Sequence, residues 1–97
     1  SVNENEKIVR AVINSVMCNY YVDFNNIAKE FKTSINRIYA AIDFTIEKFR
    51  DFIEDDLMQF NNDSITVKLA GRLVIRNIAM KFDPMLNSGV GTYSKTI

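Results

Sequence analysis

Apolar residues recur every three or four positions along three consecutive segments of this chain, which is the spacing of a buried helical face. The first segment, from residue 6 to about residue 18, predicts a helix with an apolar stripe made of Ile8, Val9, Val12, Ile13, Val16 and Met17. Asp23 is placed to cap a second, shorter helix, and Thr33 or Ser34 to cap a third. The third helix is expected to run for roughly four turns, with Ile35, Ile38, Tyr39, Ile42, Ile46 and Phe49 on its apolar face.

The second half of the chain predicts a hairpin and a closing helix. The turn-forming run at positions 61–63 separates two short candidate strands, Met58–Phe60 and Ile65–Lys68. A helical pattern then extends from about residue 69 to residue 86, with an inward face of Val74, Ile75, Ile78, Ala79 and Phe82, and Pro84 is expected to kink or end it. The predicted fold is therefore mainly α (α+β), a winged-helix-like domain over residues 1–86 followed by a flexible tail over residues 87–97.

Composition restricts the partners of such a domain. A chain of 97 residues that is 47% hydrophobic fits one domain with one core. Its 12 basic and 12 acidic residues cancel, so no net field attracts nucleic acid or anionic lipid. No stretch approaches the roughly 18 uninterrupted apolar residues of a membrane span, and the polar start is unlike a secretory signal. We expect a soluble, cytoplasmic protein without membrane or nucleic-acid partners.

The chain has few residues suited to catalysis or metal binding. Cys18 is its single cysteine, which excludes an internal disulfide and any site built from several thiolates, and there is no histidine. The absence of histidine removes the commonest general base and the commonest metal ligand. We therefore expect no catalytic residue, metal site or cofactor site within this chain.

Three local sequence signatures carry a resemblance to a known family. They are Met17–Phe24, Asp55–Leu57 and Gly71–Asp83, and the third is followed at the chain end by Tyr93–Ile97. In this order they resemble the C-terminal region of oxygen-independent coproporphyrinogen III oxidases, and the similarity runs from about residue 8 to the terminus. Two positions differ from the pattern of that family: Asp56 stands where Gly is usual, and the pair at positions 68–69 replaces Thr-Pro.

The resemblance implies a parent enzyme with further domains. Proteins of this family use S-adenosylmethionine and a 4Fe–4S cluster, held by three cysteines of a preceding barrel, to start the oxidative decarboxylation of coproporphyrinogen III to protoporphyrinogen IX in haem synthesis. One cysteine cannot bind that cluster. The implied role is an accessory domain that docks on the N-terminal radical SAM barrel of the same polypeptide and helps to close it.

Arg72, Arg76 and Asn77 are the candidate contact residues for substrate or for the barrel. The two arginines are four positions apart, so a helix brings their guanidinium groups to one surface, where they can bind a carboxylate in a bidentate manner. The alternative is an ion pair within the domain, with acids such as Asp55 or Asp83, and a structural hydrogen bond from Asn77 to a loop.

Other polar and aromatic residues favour structural roles. Cys18 lies beside an apolar stripe and is expected to be a small buried residue. Tyr20, Tyr21 and Phe24 are expected in the core, and the acidic run at positions 54–56 is expected to be a solvated patch instead of a metal site.

A winged-helix nucleic-acid-binding module is the alternative function, and it depends only on the order of elements. Its third helix would have to read the groove. The polar residues predicted to be exposed there have mixed charge, namely Asn36, Arg37, Asp43, Thr45, Glu47 and Lys48. Because acids repel phosphates, this composition disfavours DNA binding.

Overall fold

The structure, a computed structural model, describes residues 2–84, with side chains from Glu4 onward. Its helices are α1 (Val2–Asn19), α2 (Phe24–Glu30), α3 (Ile35–Ala41), α4 (Arg50–Glu54) and α5 (Ile75–Met80). Its strands are β1 (Tyr21–Asp23), β2 (Met58–Asn61) and β3 (Ser64–Val67), and 3-10 helices at Ile46–Phe49 and Ala70–Val74 lead into α4 and α5. The predicted class, mainly α with a small β component, is confirmed.

Helix α1 forms one wall of the core through the stripe that its sequence predicts. Ile8, Val12 and Val16 are fully buried, and the neighbouring row of Val9, Ile13 and Met17 packs partly buried against the same core. The spacing of four residues places the buried side chains on one line of the helix. The helix is longer at both ends than the predicted segment of residues 6–18.

Both predicted caps are present. The carboxylate of Asp23 accepts hydrogen bonds from the backbone amides of Asn25 and Asn26, at 2.9 and 3.4 Å. The hydroxyl of Ser34 accepts one from the amide of Arg37 at 3.3 Å. These bonds satisfy amides in the first turns of α2 and α3 that have no partner within their own helix.

The sheet has three antiparallel strands in the order β1-β3-β2, one more than the predicted hairpin. Val22 pairs with Ile65, which pairs with Phe60, and this row faces the core. On the opposite face Tyr21, Thr66 and Gln59 align across the strands and are exposed. The predicted hairpin turn is confirmed, with Asn62 and Asp63 at φ of 54° and 59°.

The prediction of a long third helix is wrong. Helix α3 ends at Ala41, and Asp43 takes a φ of 50°, which breaks the helical path. The chain then makes the 3-10 helix at Ile46–Phe49, in which Ile46 is 40% exposed although its spacing matches the apolar face. The Lys48 ammonium donates to the carbonyl and carboxylate of Asp43, at 2.8 and 3.2 Å, and holds this bend.

The closing helix is shorter than predicted but buries the expected face. Ile78, Ala79 and Phe82 are buried, and Val74 and Ile75 pack partly buried against the core. Helix α5 ends at Met80, before Pro84 is reached. The end of the predicted helix at Leu86, the domain limit after it and the tail at residues 87–97 lie outside the described residues.

Aromatic rings fill the centre of the core. The Phe24 ring lies 5.2 Å from that of Tyr39 and 5.6 Å from that of Phe44, measured between centroids. Phe82 and Phe49 extend the group, with centroids 4.9 Å apart. This cluster joins α2, α3 and the chain after α5 into one core. Within residues 2–84, no helix combines the length and the apolar character needed to cross a bilayer.

Candidate functional site

Arg72 lies in the 3-10 helix that precedes α5, and its guanidinium carbon is 4.2 Å from the centre of the Tyr20 ring. Tyr20 is partly buried and has a φ of 58°, which turns the chain between α1 and β1. The stacking is a cation–π contact, which orders the arginine. The N–H groups of a stacked guanidinium point away in its plane and can still donate to an acceptor. The prediction of a core position for Tyr20 is therefore only partly met.

Arg72, Arg76 and Asn77 are all exposed along one short segment that ends in α5. Among residues 4–84 neither arginine forms a salt bridge with Asp55, and the contact role of both arginines stays a prediction. The salt bridges found there involve other cations and are Arg37–Glu4, Lys48–Asp43, Arg50–Glu47 and Lys68–Asp56. Asn77 is exposed, so its side-chain amide can be satisfied by solvent, and its role stays a prediction.

Two leucines beside Arg72 are exposed, and the sequence patterns did not single them out. Leu69 is 77% exposed and Leu73 is 89% exposed. A search for buried stripes passes over them, because they are out of phase with the inward row at positions 74, 75, 78 and 79. This offset is what indicates their exposure in the sequence, since a large apolar side chain outside the buried face contacts either solvent or a partner.

Gly71 fixes the position of this segment. A Cβ atom at Gly71 would lie 2.0 Å from the carbonyl oxygen of Leu57, so the 3-10 helix can approach the loop before β2 only where there is no side chain. The same carbonyl accepts a hydrogen bond from the amide of Lys68 at 2.8 Å, and the carbonyl of Tyr20 accepts one from the amide of Val67, also at 2.8 Å.

These contacts bring the family-like signatures together. Asp56 adopts a φ of 62°, the conformation that Gly would take most readily, and its carboxylate accepts a hydrogen bond from the Lys68 ammonium at 2.9 Å. The 3-10 helix begins at Ala70, and its N-cap residue Leu69 makes no side-chain capping hydrogen bond. Residues of three separate segments thus build the support for Arg72.

The described residues contain no cluster of three or more carboxylates and thiols that could hold a metal ion. Cys18 is exposed, so the prediction of a buried cysteine is wrong: it lies on the outer side of the last turn of α1. Tyr21, also predicted to be in the core, is 42% exposed because it lies on the outer face of the sheet. Since a 4Fe–4S cluster needs at least three thiolates, the single cysteine of this chain does not fit one.

The region predicted to read DNA in the alternative function is not one helix. Helix α3 ends at Ala41, so the expected face at residues 43–48 is not on it. Arg37 lies 3.6 Å from the carboxylate of Glu4, and Lys48 binds Asp43. Acidic partners at these two cations weaken any attraction for a phosphate backbone.

A groove of about 480 Å³ lies between α1 and α3, with Val9, Ile13 and Ala41 in its wall. It flanks the first half of α1, whereas Tyr20 and Arg72 are beyond the other end of that helix. The groove therefore does not form one site with the arginines.

The chain matches a family model described as the HemN C-terminal domain over residues 2–74. It is 33% identical over 89 residues to the oxygen-independent coproporphyrinogen III oxidase of Thermostichus vulcanus, covering 91% of this chain and 26% of that protein. Against the Helicobacter pylori enzyme of the same name, identity is 27% over 97 residues, which is 100% of this chain and 21% of the relative.

A solved structure is similar as well. It is that of the Escherichia coli coproporphyrinogen III oxidase (HemN), described as a radical SAM enzyme, with a TM-score of 0.68 and 32% identity over 81% of this chain. The chain covers 18% of that structure and only about a fifth to a quarter of the curated relatives named above, 21% and 26%. It therefore matches one domain of those longer proteins.

Proposed function

Because the chain belongs to the HemN C-terminal domain family, we propose that it is the C-terminal domain of a longer oxygen-independent coproporphyrinogen III oxidase. The match over residues 2–74 carries this proposal. It is supported by relatives that have this name and whose own chains are several times longer, such as the Thermostichus vulcanus protein, of which the chain covers 26%.

The proposed parent reaction is the oxidative decarboxylation of two propionate side chains of coproporphyrinogen III, which gives protoporphyrinogen IX in haem synthesis. A 4Fe–4S cluster and S-adenosylmethionine would supply the radical chemistry. Their site belongs to a barrel domain that precedes this chain, because the single cysteine here does not provide the thiolates. The groups of this domain then act by docking and positioning.

In this proposal the domain docks on the barrel and helps to close it, with Arg72, Arg76 and Asn77 as contact residues. Arg72 is held by the Tyr20 ring and has no carboxylate partner among the described residues. A guanidinium ordered in this way loses little conformational freedom when it binds a carboxylate in a bidentate manner. Such a carboxylate is present in the propionates of the substrate and can also be supplied by the rim of the barrel.

The division of labour is tested with three proteins under anaerobic, reducing conditions: the complete parent polypeptide, the parent ended before Ser1, and this 97-residue chain. The complete parent should bind a cluster and convert coproporphyrinogen III. The shortened parent should keep the cluster but lose most of its turnover, and this chain alone should bind no cluster and cleave no S-adenosylmethionine. A complete parent that binds its cluster but does not consume the porphyrinogen contradicts the proposed reaction.

The arginines are tested by Arg72→Lys and Arg76→Lys in the complete parent, with the exposed Arg10→Lys as a matched control. Lysine keeps the charge but loses the planar fork. At a true contact, kcat/KM falls by about tenfold, as expected for the loss of one bidentate carboxylate contact. The Tm of the 97-residue chain should stay unchanged by either substitution. If the activity falls only in proportion to a fall in that Tm, the arginines serve the structure of the domain.

A further inference from the structure

The 3-10 helix at Ala70–Val74 forms a ridge, defined here as Leu69, Arg72 and Leu73. Gly71 faces inward against Leu57, and the three ridge residues around it are exposed. The exposures of 77% for Leu69 and 89% for Leu73 are the highest among the large exposed apolar residues of the described chain. In a 3-10 helix residues three apart share an edge, so Leu69 and Arg72 lie side by side.

The backbone of the ridge is held in place by contacts with the rest of the domain. The close approach of Gly71 to the Leu57 carbonyl and the hydrogen bond from the Lys68 amide to the same oxygen, at 2.8 Å, anchor its start. Stacking on Tyr20 orders the guanidinium of Arg72. An exposed apolar surface on an ordered backbone is suited to docking, because binding pays little for ordering it.

The partner that binds the ridge can be inferred from the size of the ridge and from the length of the related proteins. Two leucines and one arginine cover far less than the ~1,000 Å² that a stable complex between separate molecules needs, which disfavours a second copy. A tethered partner needs less surface, because the linker keeps its local concentration high. The family is a C-terminal domain, and the chain makes up only 18% to 26% of similar proteins, so most of such a polypeptide precedes it.

We infer that the ridge is the surface by which this domain docks on the preceding domain of its own polypeptide. Leu69 and Leu73 enter an apolar recess of that domain, and Arg72 pairs with a carboxylate at the edge of the recess. The inference rests on the proposed function for the existence of the preceding domain, and it assigns the apolar part of the contact to two leucines that lie outside every predicted buried face.

The test compares amide hydrogen exchange of residues 69–76 in the complete parent and in the 97-residue chain. Docking should slow this exchange by about tenfold or more in the parent. The double variant Leu69→Ser with Leu73→Ser should remove the difference. The control Ile46→Ser, which changes an aliphatic residue that is 40% exposed elsewhere, should keep it. The double serine variant should hardly alter the melting of the 97-residue chain, since both leucines are more than three-quarters exposed there.

Equal exchange in the two wild-type proteins overturns the inference, and so does protection that survives the double serine variant. Sedimentation of the 97-residue chain decides on the alternative occupant: a dimer that the double serine variant dissociates assigns the ridge to a second copy and also overturns it. The proposed reaction fails separately. A parent with a protected ridge and an intact cluster but no porphyrinogen turnover refutes the reaction and leaves the docking surface in place.

Discussion

Replacing Gly71 by alanine gives a sharp test of the contact that supports Arg72. In most helical positions Gly→Ala stabilises a protein, by about 0.4–1 kcal/mol, because the unfolded chain loses freedom. Gly71 has no positive φ, so alanine is allowed by the backbone. The new Cβ, however, would lie 2.0 Å from the Leu57 carbonyl oxygen and 3.0 Å from a methyl carbon of Val67. The clash is with backbone, which cannot rotate away as a side chain can.

The expected result is therefore a loss of stability. Relieving the clash needs a displacement of more than an ångström at the carbonyl that accepts from Lys68, and overpacking of this kind costs about 1–3 kcal/mol or more. For a domain of this size, 1 kcal/mol shifts Tm by about 4–8 °C, so a fall of roughly 4–24 °C is expected. Calorimetry of the 97-residue chain measures it, with the exposed neighbour Ala70→Ser as control. If the Gly71→Ala chain melts at or above the Tm of the unchanged 97-residue chain, the steric explanation is refuted.

Three further changes test other parts of the fold by denaturant unfolding. Asp23→Ala should cost about 1 kcal/mol, because the first amides of α2 lose their acceptor; a change below about 0.3 kcal/mol would contradict a capping role. Asp56→Gly should be more stable than Asp56→Ala by about 1 kcal/mol, since both lose the ion pair to Lys68 but only Gly tolerates the φ of 62° without strain. Tyr39→Phe should cost about 1 kcal/mol at pH 7 through loss of its 2.6 Å hydrogen bond to Asp63. Burial and that hydrogen bond raise the pKa of Tyr39 above its ordinary value of 10.0, so its contribution is complete below that pH and is lost as the pH rises towards the folded pKa. The cost of Tyr39→Phe should thus shrink above pH 10, and a constant cost would count against the assigned hydrogen bond.

The helices that bury one continuous stripe were predictable from the sequence. Ile8, Val12 and Val16 mark α1 because a spacing of four residues on one side has few other structural solutions. Asp23 and Ser34 mark the starts of α2 and α3 through capping chemistry that depends only on local backbone groups.

Elements set by tertiary contacts were not predictable in the same way. Strand β1 has only three residues, too few to show alternation, and it exists because Val22 pairs with Ile65 more than 40 positions later. The third helix breaks at Asp43 although Ile46 continues its apolar spacing. Nothing local to Ile46 indicates that its side chain stays 40% exposed, because that depends on which surface the core leaves uncovered.

The candidate site shows the same division. The spacing of Arg72 and Arg76 predicts one shared helical surface, but Arg72 lies in the 3-10 helix and Arg76 in α5. The stacking of Arg72 on Tyr20 joins residues more than 50 positions apart and has no local signal. The ridge leucines were missed for another reason. Apolar spacing identifies residues on buried faces. Leu73 lies outside every such face and is 89% exposed, so the spacing gives no indication of it.

Three residues of the family-like segments position other groups around the ridge. Gly71 allows a close approach, Asp56 takes the turn that a glycine would take, and Tyr20 carries Arg72. None of these three interactions transfers a proton or an electron, and each one fixes where the ridge stands relative to the sheet. Under the proposed function, this arrangement suits a domain that presents the ridge, as one ordered surface, to the preceding domain of its polypeptide.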